Sequence, residues 1–537
     1  MYRGGTEPMV ENKRPMAGST QAREYPIVCP YCFNQAVGGR PFSHKDVHFR
    51  AETMYPNLHA IEMMMGKRKV DIEMMTNAAE QAAALSKFST AERFLQKDDP
   101  IYNQFWSDYG TTSEQLAKLD NGINPWNRPI IRLGDGVNRL VTDEDGFVIA
   151  AVDNFDKVTH RRVCPHCHNP LPFGFGKHPV KNISIIGVTQ AGKTVYISQL
   201  LKGMATYAAK AGLSAFYTSD RAANFIEANP VKKGVPLPNS TLPNSLSQPM
   251  FFDLIQNIGN TVKTDTIVLY DIAGENCQDA TAMIQFSEFV KHADGLILLI
   301  DPKQLNFIAN ADIEKIAEPR IVLQTLHNVL VERSSQKSHM PLAICISKSD
   351  QCFDILPETA QDAIPNPVFN EFGEVPREFD GKTFNQLSQP LTSLLNQNAF
   401  DFCTDLRNRY INFNFFAVSA IGCDCPKDEH GVSRPSMNPE PRRIEEPILW
   451  LFKQFGFIRS NTKVLRPYSI KQPDKEVWKP GFLGLGGHYE RVEGEPARYE
   501  EDKIREHVVF VGGKRNGEVV PGGENKIRET VIREGGR

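Results

Sequence analysis

The stretch IGVTQAGKTVY, from Ile186 to Tyr196, limits what this chain can fold into more than any other. Gly187 through Thr194 fits the spacing GxxxxGK[ST]. Its surroundings fit as well, with the apolar run NISII before it and the periodic segment VYISQLLKGMATYAA after it. A strand, a tight loop and a helix in that order make a phosphate cradle, because glycines let backbone N–H groups turn inward and the helix N-terminus adds partial positive charge. Phosphate contacts are expected from Gly187, Thr189, Gln190, Ala191, Gly192, Lys193 and Thr194. Lys193 would bridge the β- and γ-phosphates, and the Thr194 hydroxyl would ligate Mg²⁺.

A second strand-like run, DTIVLYDIAGE, ends in Asp271. A carboxylate there can sit beside the metal of a nucleotide–Mg²⁺ complex. Gly274 follows three positions on, where its N–H could approach a γ-phosphate. Across 180–458 the pattern is α/β. Continuous apolar runs (NISIIG, MFFDLI, DTIVLYD, GLILLID, LAICIS, NFFAVS) alternate with helix-length segments, as strands buried on both faces do. PILWLFKQFGF reads as the closing helix, with Pro447 in its first turn.

The remaining chain divides by composition. Residues 1–24 read as a polar, flexible N-terminus, and 459–537 as a charged, Gly- and Pro-rich tail, mostly flexible with room for one hairpin. Residues 54–158 carry a helix-forming run, KVDIEMMTNAAEQAAALSKF, and a hairpin, NRLVTDEDGFVIAAVD, turning at Asp145–Gly146. The methionine clusters EMMMG and EMM read as core in preference to a soft partner-binding face.

The base-reading question turns on LAICISKSD. A buried strand leads into Ser347-Lys348-Ser349-Asp350. With the phosphate loop and Asp271 in order before it, this stretch resembles the Ras-like, TRAFAC-class P-loop GTPases, whose base motif is [NT]KxD. The resemblance covers Lys181 to Ile458. It implies a three-layer α/β domain with a mostly parallel central sheet. It also implies that the Asp350 carboxylate accepts two hydrogen bonds from guanine, which adenine cannot supply, and that the Lys348 stem lies along the base. Ser347 stands where the family has Asn or Thr, and so lacks the amide that ties this loop to the phosphate loop. Ser419 and Ala420, in FAVSAIG, match the family's backbone contact to the guanine oxygen. Thr241, in the loop KKGVPLPNSTLPNSLSQP, is the candidate to close over Mg²⁺ beside Thr194 and Asp271; Ser240 and Ser245 are alternatives. Glu275 occupies the water-positioning place where the family carries Gln. A carboxylate near phosphate charge is repelled, which predicts slow hydrolysis, aided by a partner's Arg. A solvated, non-catalytic Glu275 is the competing reading. Lys193, Gly274 and Glu275 form the expected catalytic set.

Four of the ten cysteines come as Cys29-Pro-Tyr-Cys32 and Cys164-Pro-His-Cys167. Two such turns offer a tetrahedral four-thiolate site that suits zinc and leaves no open position for catalysis. The usual gap within a zinc ribbon is about 15–20 residues, so the ribbon is expected to be split, 25–53 and 159–175, with 54–158 inserted as an α+β region. DVHFRAE and KVTHRRV would be its own strands. A redox CxxC lacks a βαβ setting. The CxxCH string also fits haem attachment, which needs a secretory route. Buried, unliganded cysteines are the plain alternative, and His44, His48 and His166 are substitute ligands.

A net charge of −3 offers no global attraction to nucleic acid or anionic membrane. No apolar run is long enough to span a bilayer and the first residues lack a signal-like stretch, so the sequence predicts a cytoplasmic protein. A zinc-knuckle segment ahead of IGVTQAGKT is similar to a set of uncharacterised bacterial GTPases, of the double-GTPase type associated with conflict or signalling systems. The similarity implies a regulatory switch: a GTP- and Mg²⁺-binding protein with a structural zinc, cycling to GDP and read by a protein effector. Two readings compete with it: a nucleotide-binding scaffold with little turnover, and an ATPase.

Overall fold

The apolar runs of the C-terminal half become the strands of one seven-stranded sheet in the computed structural model. That structure describes residues 25–52, 99–111, 130–131, 139–152, 157–188, 190–239, 248–258, 261–273, 280–305, 318–331, 336–352, 354–356, 369–372, 375–379 and 381–460, together with short strands between 465 and 532. The chain divides into two units. One comprises 1–28, 34–97 and 126–177, the other 29–33, 98–125 and 178–537. The expected helix at KVDIEMMTNAAEQAAALSKF lies outside the described residues.

The first unit is built from short antiparallel strands. Besides the short pair Ala36–Val37 and Arg40–Pro41, these include β1 (His48–Arg50), β2 (Ile130–Ile131), β3 (Arg139–Thr142), β4 (Val148–Val152), β5 (Val158–Thr159) and β6 (Arg162–Val163). One sheet runs β2-β1-β6 and the other β3-β4-β5. The β3–β4 turn uses the Asp143 carboxylate, which accepts from the N–H groups of Asp145 and Phe147, each at 3.0 Å. Gly146 adopts φ +81° there, a left-handed conformation that favours glycine. Phe42, Phe49, Ala150, Ala151 and Phe175 are buried in this unit. Arg162 is buried with them, donating to the carbonyl of Phe175 at 3.0 Å and standing 4.9 Å from the Phe147 ring centroid.

In the second unit the strands are β7 (Val180–Gly187), β8 (Ser214–Tyr217), β9 (Met250–Ile258), β10 (Thr261–Ala273), β11 (Gly295–Ile300), β12 (Leu342–Ile346) and β13 (Phe413–Ala417). Their order is β8-β9-β10-β7-β11-β12-β13. The five from β10 to β13 are parallel, and β8 and β9 add antiparallel to one side. The helices are α1 (Pro100–Asp108), α2 (Lys193–Lys210), α3 (Arg221–Ala228), α4 (Ala280–Lys291), α5 (Pro319–Leu330), α6 (Gly381–Asn398), α7 (Phe400–Arg409) and α8 (Glu446–Gln454). Side-chain alternation sorts them into layers. Ile183, Ile185, Ile267, Leu269, Ile297 and Leu299 pack with Leu200 and Met204 of α2 and with Ile448 and Leu451 of α8. From the other face of β7, Ser184 donates to the Phe289 carbonyl of α4 at 2.8 Å. The result is the expected α/β architecture, with a large, mostly parallel sheet between helices.

Gly295 opens β11 because α8 comes so close that an added Cβ would lie 2.8 Å from the Leu451 side chain. Past α8, strands Lys475–Pro480 and Gly487–Val492 form one antiparallel hairpin, and Arg505–Val509 pairs with Val519–Lys526. Among the described residues, no helix is long and apolar enough to cross a membrane.

Candidate nucleotide site and cysteine cluster

In parallel α/β sheets, ligands collect beyond the carboxyl ends of the strands. The strands β7, β10, β11, β12 and β13 all end at that edge. The loop after β7 is the phosphate loop. Its fold is held by the Val188 N–H donating to the Leu299 carbonyl and the Ala191 N–H to Val188, both at 2.9 Å. Gln190 and Gly192 adopt φ +65° and +75°. Gly187 has no room for a side chain, since a Cβ would lie 2.7 Å from the Lys193 Cβ. α2 then starts at Lys193, so its N-terminal end, with its partial positive charge, follows directly on the loop.

Lys193 is 8% exposed and Asp271, at the end of β10, is 3% exposed; the two form a buried ion pair. The parallel register of β10 and β7 sets Asp271 opposite Ile185 and so brings it to the phosphate loop. Thr194, in the first turn of α2, offers a second hard oxygen, and this donor chemistry suits Mg²⁺. Thr189, Thr241, Gly274 and Glu275 lie outside the described residues.

The loop after β12 is held twice over. The Ser347 hydroxyl donates to the Ile300 carbonyl at 3.1 Å. Lys348, at φ +48°, donates its amine to the Gln190 carbonyl at 2.7 Å and to the Asp301 carboxylate at 2.8 Å. The lysine thus ties the base-side loop to the phosphate loop, a link whose loss the sequence suggests from Ser347. Asp301 directly follows β11 and was not singled out by its sequence. A carboxylate directly after the apolar run GLILLI was the available signal. Asp350 follows in a 3₁₀ turn, Ser349–Cys352. Ser419 is fully buried, its N–H donating to the Arg442 carbonyl at 3.0 Å and its hydroxyl accepting from the Gly422 N–H at 2.9 Å.

These loops enclose a cavity of about 430 Å³, within the size range of small-ligand sites. Its walls include Gly187, Gln190, Ala191, Gly192, Lys193 and Thr194 from the phosphate loop, and Ser347, Lys348, Asp350, Ser419 and Ala420 from the base-side loops. Lys303, Leu237, Pro238, Asn239, Cys423, Cys425, Lys427 and Ser433 also line it. The sequence reading missed that second group. Nothing in a Pro-, Lys- and Cys-containing loop marks it for a pocket wall until its fold is known.

The other site is cysteine-built. Cys29, Cys32, Cys164 and Cys167 place their sulfurs within 4.8 Å of one another. Zn–S bonds of about 2.3 Å in a tetrahedron put sulfurs about 3.8 Å apart, so the set fits zinc. The two turns share one backbone geometry. Phe33 and His168, each just after the second cysteine, have φ +54°, and their N–H groups donate to Cys29 and Cys164 at 3.0 Å. The His166 N–H also donates to the Cys164 sulfur at 3.4 Å, a contact that steadies a ligating thiolate. His44 instead accepts from the Val148 N–H at 3.0 Å, and His166 meets the Ala36 carbonyl at 2.9 Å.

Residues 181–397 match the family model Double-GTPase 2. The match bears out the resemblance read from the phosphate loop, leaves both cysteine pairs outside it, and supports a GTP-binding protein. Over 203 residues the chain is 28% identical to SaeC of Mycolicibacterium smegmatis, described as a candidate ESX-1 scaffolding and assembly protein. That alignment takes in 35% of this chain and 51% of SaeC, so the chain spans about half the length of this curated relative. Among solved structures, the GTP-bound GTPase-like domain of S. cerevisiae Ski7 is similar at 14% identity and a TM-score of 0.25, covering 66% of this chain and 68% of that one. Sup35 complexed with GDP is similar at 13% identity and a TM-score of 0.18, over 45% of this chain and 38% of that one.

Proposed function

We propose that the chain is a GTP-dependent molecular switch that hydrolyses GTP slowly and carries a structural zinc. The observation that carries this is one cavity lined by both sets of residues, Lys193 and Thr194 from the phosphate loop and Lys348, Asp350, Ser419 and Ala420 from the base-side loops, with the Lys348 amine tying the two loops through the Gln190 carbonyl. The phosphate-loop residues would take the phosphates. Asp350 would accept the two guanine donors. Thr194 and Asp271 would hold Mg²⁺, with Thr241 joining them, and the ion would neutralise charge on the phosphates. Nucleotide would then divide the buried pair, drawing Lys193 to phosphate and leaving Asp271 to the metal. Gly274 and Glu275 would respond to the γ-phosphate, and Glu275 in place of an amide favours slow turnover. The cytoplasm is the compartment that suits such a cycle, and the similarity to SaeC favours a protein effector over nucleic acid.

Binding of labelled GTP and ATP with Mg²⁺ tests this, for the wild-type chain and Asp350→Ala. A preference for GTP that the substitution erases is the expected result. Equal binding of ATP, unchanged by the substitution, would hand the site to the ATPase reading. Multiple-turnover assays with excess GTP separate a switch from a scaffold, which would bind the nucleotide and release almost no phosphate.

A further inference from the structure

The segment after Ser419, GCDCPKDEHGVSRPSMNPEPR, is short of apolar residues and carries no recognised motif, yet it folds on itself as a hairpin arm. Its two sides are pinned at four levels. Ser419 and Arg442 exchange backbone hydrogen bonds at 3.0 and 2.7 Å, and the Glu440 N–H donates to Ile421 at 2.8 Å. The Ser436 N–H donates to Asp424 at 2.9 Å and the Arg434 N–H to Pro426 at 3.2 Å. Near the tip Asp428 caps the turn, its carboxylate accepting from the N–H groups of His430 at 3.0 Å and Val432 at 2.9 Å. At the base Gly422 passes so near Glu440 that a Cβ would lie 2.2 Å from its carbonyl oxygen. The arm is therefore built, not slack.

One side of it lines the nucleotide cavity through Cys423, Cys425, Lys427 and Ser433. Its tip also grips the strap 232–239, whose Leu237, Pro238 and Asn239 line the same cavity. The Gly234 N–H donates to the Pro435 carbonyl at 2.9 Å and the Leu237 N–H to Ser433 at 3.0 Å. Arg434 completes the grip, donating to the Gly234 carbonyl at 3.2 Å and to Asp428 at 3.4 Å. In sequence the strap is followed by Thr241, which lies outside the described residues.

We propose that this arm is a nucleotide-retaining element: joined to the strap, it closes the cavity over the base and sugar, and Arg434 is the positioning residue that keeps the two joined. This rests on the proposed guanine-nucleotide site. Nucleotide cannot leave until arm and strap part, so the grip sets the release rate. The arm begins at Ser419, so it runs from a base-side wall of the cavity to the strap.

Release of a fluorescent GDP analogue, chased with excess GDP, tests the idea in the full chain. Arg434→Ala removes a charge-assisted hydrogen bond and should speed release about tenfold. Arg434→Lys, which keeps the charge and one donor, should restore much of the wild-type rate. A second readout needs no variant: bound GDP should slow maleimide labelling of Cys423 and Cys425, measured peptide by peptide. Wild-type release rates in Arg434→Ala, or labelling of both thiols indifferent to GDP, would overturn the proposal while leaving the nucleotide site intact. If the wild-type chain binds no guanine nucleotide, the functional reading fails, and the retaining role with it.

Discussion

Lys348 carries more of the site than its place in a four-residue motif suggests. From a left-handed backbone its amine spans to Gln190 and Asp301, so it braces the phosphate loop from the base side. Lys348→Ala should weaken GTP affinity about 10- to 100-fold, since it leaves the half-buried Asp301 pair broken and the Gln190 carbonyl without that donor. Isothermal titration of the variant checks this, and an affinity within about twofold of wild type would remove the bracing role. At this scale the sequence is legible where chemistry is local. Gly187, Lys193 and Thr194 could be read from spacing, because a phosphate loop is one contiguous turn. Asp301 and the reach of Lys348 could not, because partners separated by 47 and 158 residues leave no mark on local pattern.

The elements around the sites add their own constraints. In the first unit the turn before β1 is organised by Asp46. Its carboxylate accepts from the Arg40 guanidinium at 2.8 Å, and from the Ser43 N–H and hydroxyl at 2.9 and 2.8 Å. Burial works against that charge, but the bonds from Arg40 and Ser43 outweigh it and hold the carboxyl below its ordinary value. A depressed carboxylate stabilises the fold above its unfolded pKa of 3.8, and that contribution is lost as pH falls through the lower folded value. The melting temperature of Asp46→Asn should therefore lie below wild type at pH 6, and the gap should narrow below about pH 4. A gap that holds constant down to pH 3 would show that the charge of Asp46 contributes nothing. The hairpin at Asp145–Gly146 was readable beforehand because turn chemistry is local. The arm was not: its pairings are backbone to backbone, and its sequence shows neither a strand's alternation nor a helix's period.

Across the whole molecule the four cysteines make the most testable claim. Two CPxC turns, each closed by the same backbone hydrogen bond and followed by a residue at φ +54°, supply four thiols from segments that residues 33–163 separate. Elemental analysis should find one zinc per chain. Chelation, or Cys164→Ser, should lower the melting temperature by more than about 5 °C, because metal binding to such a site is folding free energy. A zinc-free chain with an unchanged melting temperature would leave the cysteines as buried thiols. What the sequence determined by itself is what repeats at short range. The phosphate loop, the paired CPxC turns, the buried strands and the closing helix are each specified within a few residues by glycine geometry, thiol spacing and hydrophobic period. Only the tertiary structure decided which walls the cavity has. The arm beyond Ser419 and the Lys348–Asp301 brace start where parallel strands end at one edge of the sheet, and the strap at 232–239, from between the antiparallel β8 and β9, is bonded to the arm there. Contacts between such loops are chosen by packing and hydrogen-bond satisfaction across the fold, and no window of sequence contains both partners.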